Sequence, residues 1–223
     1  MRAGQASATA QRVAALRLTF DRVMAEGDPA ADERLARDVA GSVERQPGGL
    51  LDDYLRARTS FFDRVVVGAL DAGLRQVVVA AAGYDGRALR YARPGVRWFE
   101  VDHPDTQGDK VERLLRLDID TGQITFVAAD FTVDRISDLV DRAGFDRGAP
   151  ALFLCEGIAV YLEREVLESL LSELRRLAAP ASRLAISLSV SAGSTSSERR
   201  ERFQGAVAAL GEPTRSLLTA EDA

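Results

Sequence analysis

The sequence predicts an α/β domain built on a doubly wound, mostly parallel sheet, with helices on both faces and a helical lid at the N-terminus. Three observations carry this. From Arg75 onward, short apolar runs alternate with helical patterns, which is the mark of βαβ units. Those runs are almost continuously apolar, as strands covered on both faces must be. The stretch "RQVVVAAAGYDGRALRY" (75–91) collapses into small residues, turns at Gly83 and resumes as a charged helix. Such a turn lets a ligand approach the main chain.

Taken in order, "ATAQRVAALRLTFDRVMAEG" reads as a helix. Val13, Leu16, Phe20 and Val23 share one face at spacings of three and four, and Arg17 falls on the wetter side. "GDPAADERLARDVAG" is a second helix, with Asp28 before Pro29 as its start and Gly41 as its stop. "ERQPGG" (44–49) is a linker, so residues 1–49 form a helical cap and residues 50–223 the sheet domain. The cap either covers substrate as a lid or packs on an outer face. "LLDDYLRARTSFFDRVVVGALDAG" is a helix ending at Gly73. Five strands follow: "QVVVAAA", "GVRWFEVD", "ITFVAAD", "PALFLCEG" and "SRLAISLSV". The helices between them are "DGRALRYA", "DKVERLLRL", "VDRISDLVDRAG" and "EREVLESLLSELRRLAA", the last with a core-packing stripe. "SVSAGSTSSERR" reads as a polar loop, and "FQGAVAALGEPTRSLLTAEDA" as one helix followed by turn-like material. Sheets of this kind commonly carry further edge strands, so the C-terminal edge strands are expected to be missing here.

Composition narrows the function. The 223 residues are 46% hydrophobic and 28% charged, ordinary values for a soluble globular domain. No long uncharged apolar segment predicts a membrane span, and the N-terminus lacks the apolar region of a secretory leader. A single cysteine, Cys155, precludes an internal disulfide and fits the cytoplasm. The net charge of −5 argues against a nucleic-acid surface. One histidine and one cysteine do not make a closed zinc set, so no metal site is expected. Lys110 is the only lysine, which fits a compositional bias toward arginine. Oligomeric state is not legible.

In an open parallel sheet, ligands bind outside the carboxyl ends of the strands. Those ends carry Ala81, Ala82, Gly83, Tyr84 and Asp85, then Glu100, Asp102 and His103, then Asp130 and Phe131, then Cys155, Glu156 and Gly157. Four of the five ends present a carboxylate. Asp102 lies about twenty residues past the glycine turn, where an acid accepts both hydroxyls of a ribose. Asp130 could accept from an adenine amino group with Phe131 stacked on the ring, or it could cap the next helix. No phosphate-binding loop is present, and Asp85 at the helix start repels a pyrophosphate but suits an ammonium group. That combination favours an adenosine joined to a zwitterionic amino acid, which describes S-adenosyl-L-methionine. Arg58, ahead of the first strand, is a candidate partner for its carboxylate.

The same segments resemble a known family. "TAQRVAALR", "RTSFFD", "VVVAAAGYDGRALRY", "WFEVDHP" with Lys110 downstream, "FVAADF" and "LCEGIAVYL" follow in the expected order and spacing, within a resemblance that extends over roughly Thr9 to Leu188. Together they are similar to class I S-adenosyl-L-methionine-dependent methyltransferases of the leucine carboxyl methyltransferase type, in the bacterial branch assigned to O-methylation in polyketide (secondary) metabolism. The resemblance implies a Rossmann-like fold. It implies that Arg58 holds the cofactor carboxylate, that Ala81 and Gly83 form the cofactor turn with Asp85 nearby, and that Arg87 braces the loop. Asp102 would take the ribose, Asp130 and Phe131 the adenine end, and Glu156 the methionine part, with Tyr161 bordering the pocket. Ala81 departs from the family's common glycine, Ala80 from leucine and Gly86 from threonine.

The expected activity is O-methylation of a carboxylate or hydroxyl on a small-molecule acceptor. A carboxylate needs no base. A phenol or alcohol needs one, for which His103 and Tyr161 are the candidates, although His103 before Pro104 also reads as a structural turn residue. Cys155 reads as a packing residue. Two rivals stand beside this: a degenerate member that binds cofactor without turnover, motivated by Ala81, and an NAD-dependent oxidoreductase. The latter is disfavoured because Asp85 crowds the phosphate position and no Tyr-Lys pair is evident.

Overall fold

The computed structural model describes residues 6–42 and 50–188. The linker at 44–49, the polar segment at 189–200 and the final helical pattern lie outside the described residues. Five strands form one sheet: β1 (Gln76–Ala80), β2 (Arg97–Asp102), β3 (Ile124–Ala128), β4 (Leu152–Cys155) and β5 (Arg183–Ile186). Their order is β3-β2-β1-β4-β5 and every pairing is parallel. The chain winds outward through β2 and β3, then crosses back to β4 on the other side of β1. That reversal puts a crevice at the carboxyl ends of β1 and β4.

Alternation along β1 divides the core in two. Val77 and Val79 face Leu35, Val39, Phe62, Val66 and Trp98, while Val78 and Ala80 face Phe99, Phe153, Leu170 and Leu174. All five residues of β1 are buried, which is why this strand reads as an unbroken apolar run. Helix α7 (Arg164–Leu177) presents Leu167, Leu170, Leu174 and Leu177 to the second half, the expected stripe at helical spacing. Cys155 is fully buried among the second half of the core, and burial pushes its thiol up to about 12, away from the thiolate form.

The helices depart from the sequence expectation at their ends. The first N-terminal pattern does not run to residue 27: α1 (Ala8–Arg17) stops early, Thr19 Oγ1 caps back onto the Leu16 carbonyl at 2.8 Å, and Phe20 turns inward. Its buried side is set by Ala14, not by the Val13 and Leu16 face. Helix α2 (Pro29–Ala40) begins as predicted, with Asp28 accepting from the Ala31 N–H at 3.0 Å. Helix α3 spans Leu50–Asp71. Helix α4 shrinks to Arg87–Arg90, whereas α5 (Pro104–Arg116) starts five residues before the periodicity suggested, because His103 caps it through a ring nitrogen 3.3 Å from the Asp105 N–H. Helix α6 spans Ile136–Arg142.

The N-terminal helices dock directly on the sheet domain: α1 against α2 and α3, and α2 against α4 and α5. Gly86 makes that docking possible. A Cβ there would lie 1.7 Å from Asp32 Oδ1, so the space a side chain would take is filled by a carboxylate from α2. Gly86→Ala is therefore expected to cost about 1–3 kcal/mol by overpacking. The readout is a lower urea midpoint at unchanged slope. An unchanged midpoint would mean that Asp32 vacates the space freely.

Candidate functional site

The first βα turn is the centre of the site. Ala81 (φ 55) and Gly83 (φ 51) both adopt left-handed backbone angles, which a glycine takes without strain and an alanine does not. These angles aim the Gly83 N–H at the Asp102 carboxylate, which also accepts from the His103 N–H at 2.6 Å. Asp102 thus touches the glycine turn from the end of β2, as its spacing predicted. Burial raises the Asp102 carboxyl, and the two N–H donors pull the other way. Each carboxylate oxygen retains lone pairs for a further donor such as a hydroxyl.

On the other side of β1, Glu156 ends β4 inside a ring of arginines. Arg58 Nε lies 3.0 Å from its Oε1, Arg17 Nη2 lies 3.1 Å from the same oxygen, and Arg87 Nη1 lies 2.6 Å from Oε2. Burial alone would raise the Glu156 carboxyl, but Arg87, Arg17 and Arg58 outweigh it and hold it below the usual carboxylate range. Arg17 was expected on the wetter side of its helix. It instead turns inward to Glu156 and is 11% exposed. Gly157 lets Arg58 lie close, since a Cβ there would sit 3.1 Å from the guanidinium nitrogens.

From Glu156 the charges continue inward. Arg87 donates to Asp63 and Asp85, Arg90 to Asp63 and Asp32, and Arg22 to Asp32, at 2.6–2.7 Å. Five arginines (17, 22, 58, 87 and 90) therefore face four carboxylates (Asp32, Asp63, Asp85 and Glu156), leaving one positive charge over. Asp85 is 4% exposed, and its carboxylate also accepts the Arg87 N–H at 2.8 Å. Burial would raise it, but Arg87 and Arg17 lower it on balance. Asp85 thus meets Arg87, the brace that the resemblance implied. Sequence reading did not find Asp32, Asp63, Arg22 or Arg90, because their partners lie on other helices and no spacing signals them.

The remaining candidates sit at the rim. Asp130 Oδ1 accepts from the Thr132 N–H (2.9 Å) and hydroxyl (2.6 Å), which lowers its carboxyl. This is the local capping alternative, at a turn rather than a helix start. The segment lies beside Asp102 nonetheless, since the Ala129 N–H donates to the Asp102 carbonyl at 2.8 Å. Phe131 packs partly buried against the second core. Tyr161 ends a short 3₁₀ turn, Ala159–Tyr161, just beyond Glu156. Below the turn, Glu100 points away from the rim and pairs with Lys110; burial pushes its carboxyl up to about 7 even beside that ammonium group. No group of three or more His, Cys, Asp or Glu side chains among the described residues is arranged to hold a metal ion. Likewise, no helix among them is long and apolar enough to cross a membrane.

Glu156 Oε2, Arg17 Nε and Thr59 Oγ1 are buried without an aligned hydrogen-bond partner. Arg87 Nη1 nonetheless lies 2.6 Å from Oε2, so the Glu156 carboxylate is engaged by arginines at both oxygens.

Fold and site together define a class I methyltransferase-like α/β domain. Residues 8–175 match the family model described as leucine carboxyl methyltransferase, and the chain belongs to that family. A Parafrankia protein is 45% identical over 141 residues, covering 61% of this chain and 44% of the relative. A Mycobacterium protein (strain JLS) is 37% identical over 197 residues, covering 86% and 62%. Both are named as S-adenosyl-L-methionine-dependent methyltransferases, in agreement with the expected cofactor. The chain thus spans between 44% and 62% of the length of these curated relatives. Among solved structures, a protein of Thermobifida fusca described as a methyltransferase superposes with a TM-score of 0.61 at 18% identity, covering 97% of this chain and 77% of that one. The magnesium protoporphyrin IX methyltransferase of Synechocystis, solved with bound S-adenosylhomocysteine, gives 0.53 at 16% identity, covering 87% and 81%. At these identities the likeness is one of fold.

Proposed function

We propose that the protein transfers a methyl group from S-adenosyl-L-methionine to an oxygen, carboxylate or hydroxyl, of a small-molecule acceptor. The observation that carries this reading is the placement of Asp102 and Glu156 on either side of one glycine turn, at the point where the strand order reverses. When bound, the cofactor supplies an electrophilic methyl group on a sulfonium. The chain's own residues bind and orient. Asp102 accepts the ribose hydroxyls, Glu156 faces the ammonium group, and Arg58 with Arg17 takes the carboxylate. Helix α1 lies over the turn, with Ala10 Cβ 3.0 Å from the position of a Cβ on Gly83, and so excludes water. Positioning of this kind supplies most of the rate in a displacement that needs only alignment. A carboxylate acceptor requires nothing more. For a hydroxyl acceptor Tyr161 and His103 are the candidate bases, the His103 ring also capping α5.

The test is calorimetric titration with S-adenosylhomocysteine. Wild-type protein is expected to bind, and Asp102→Ala to bind about 30-fold more weakly or worse, the loss typical when one member of a buried hydrogen-bonded pair is removed. No affinity in the wild-type protein at millimolar ligand would sink the reading. The left-handed angle at Ala81 favours a second reading, a cofactor-binding member without turnover, since its methyl group projects beside the turn. That reading predicts ligand binding with no methylated product across a panel of acids and phenols.

A further inference from the structure

The only lysine of the chain is one of its most deeply buried polar residues. Lys110, on α5, is 2% exposed, and its Nζ donates to the Asp85 main-chain carbonyl at 2.7 Å and to the Glu100 carboxylate. One turn earlier on the same helix, Gln107 Nε2 donates to the Glu100 carbonyl at 2.9 Å. The inner face of α5 thus grips both β2 and the turn that follows β1.

Stability is a poor reason for this lysine. Placing an ammonium group and a carboxylate in the interior costs several kcal/mol each in desolvation, and an apolar pair of similar volume is often as stable or more so. Packing alone would be served by methionine. What methionine cannot do is donate to a main-chain carbonyl. The turn needs such a hold, because the left-handed angle at Ala81 persists only when the surroundings over-determine it. The Asp85 carboxylate is already fixed from one side by Arg87, and Lys110 fixes the carbonyl of the same residue from the other.

We infer that Lys110 is a positioning residue: its ammonium group holds the Asp85 carbonyl and so fixes the Ala81–Asp85 turn against β2, with Glu100 serving as the counter-charge that lets the ammonium group be buried. The consequence for ligand binding rests on the reading above, whereas the consequence for the turn does not.

The deciding variant is Lys110→Met/Glu100→Gln, which removes both charges at nearly constant volume. Its melting temperature is expected to stay within about 5 °C of wild type, since no unpaired charge remains. Amide hydrogen exchange in the segment 82–90 is expected to quicken about tenfold, the equivalent of one lost charged hydrogen bond, while β1 stays protected. Affinity for S-adenosylhomocysteine should fall by a similar factor. Wild-type exchange rates in that segment would overturn the inference. Should the double variant fail to fold, Lys110→Met alone decides: it removes the donor and leaves a Glu100 carboxyl that burial already pushes up to about 7. At about pH 6, exchange in the segment 82–90 should again quicken about tenfold while β1 stays protected, and wild-type rates there would overturn the inference. Failure of the wild-type protein to bind S-adenosylhomocysteine would count against the methyltransferase reading and leave the exchange result to decide the role of Lys110.

Discussion

Asp63→Ala is expected to lower the melting temperature by about 10 °C, the equivalent of roughly 3–5 kcal/mol in a chain of this size. Asp63 is fully buried on α3, and its two oxygens each hold a different arginine: Arg87 Nε and Arg90 Nη1, both at 2.7 Å. Those arginines are 1% and 4% exposed, so neither can turn to water when the carboxylate is gone. The large effect comes from uncompensated buried charge and not from the strength of the pair itself. Asp63→Asn, which keeps the volume and one acceptor, should fall between the two. Arg37→Ala is the contrasting case: Arg37 pairs with Glu33 at 2.8 Å across one helical turn, but at 67% exposure. An exposed pair of this kind is worth at most about 0.5 kcal/mol, so this variant should melt as wild type does. Thermal melts at neutral pH check all three. An Asp63→Ala protein melting within about 2 °C of wild type would mean that Asp85, Glu156 and Asp32, which already pair with Arg87 and Arg90, suffice to hold them.

Why the sheet was legible and the charge network was not follows from how each is encoded. Strand β1 announces itself because both its faces are covered, and Val77, Val78 and Val79 leave no polar position to break the run. Asp102 was legible for a similar reason: the spacing from a strand-end glycine to the end of the next strand is fixed by the βαβ unit. The network obeys no such local rule. Asp63 meets Arg87 and Arg90 across 24 and 27 residues, and Asp32 meets Arg90 across 58. Each of these groups reads in isolation as the solvated side of an amphipathic helix. Arg17 shows the consequence: helical periodicity alone put it toward solvent, and Glu156 drew it inward. The sequence named candidate residues one segment at a time, but the ion pairs that join Arg58, Arg87 and Glu156 come from packing. His103 is a milder case, since a histidine before proline reads equally as base or as cap until its ring nitrogen is seen against the Asp105 N–H.

Glu156→Gln is expected to weaken S-adenosylhomocysteine binding by about 30-fold or more and to destabilise the ligand-free protein at the same time. Both effects have one cause. Glutamine preserves shape but leaves Arg17, Arg58 and Arg87 with no counter-charge at the end of β4, and it offers an ammonium group only a neutral acceptor. The pH dependence separates this cause from a packing defect. Because the three arginines hold the Glu156 carboxyl below its ordinary value of 4.5, the folded state binds the proton less readily than the unfolded chain does. Its contribution is therefore fully present above that ordinary value and is lost as pH falls toward the lower folded value. The melting-temperature gap between wild type and Glu156→Gln should accordingly stay constant from about pH 8 to about pH 5 and narrow only below about pH 4.5. A packing defect would instead leave the same gap at every pH. A gap already changing between pH 8 and pH 5 would place the Glu156 carboxyl above its ordinary range and remove the arginine ring as the cause. An unchanged affinity for S-adenosylhomocysteine would separate Glu156 from the ligand's ammonium group and leave it a purely structural counter-charge.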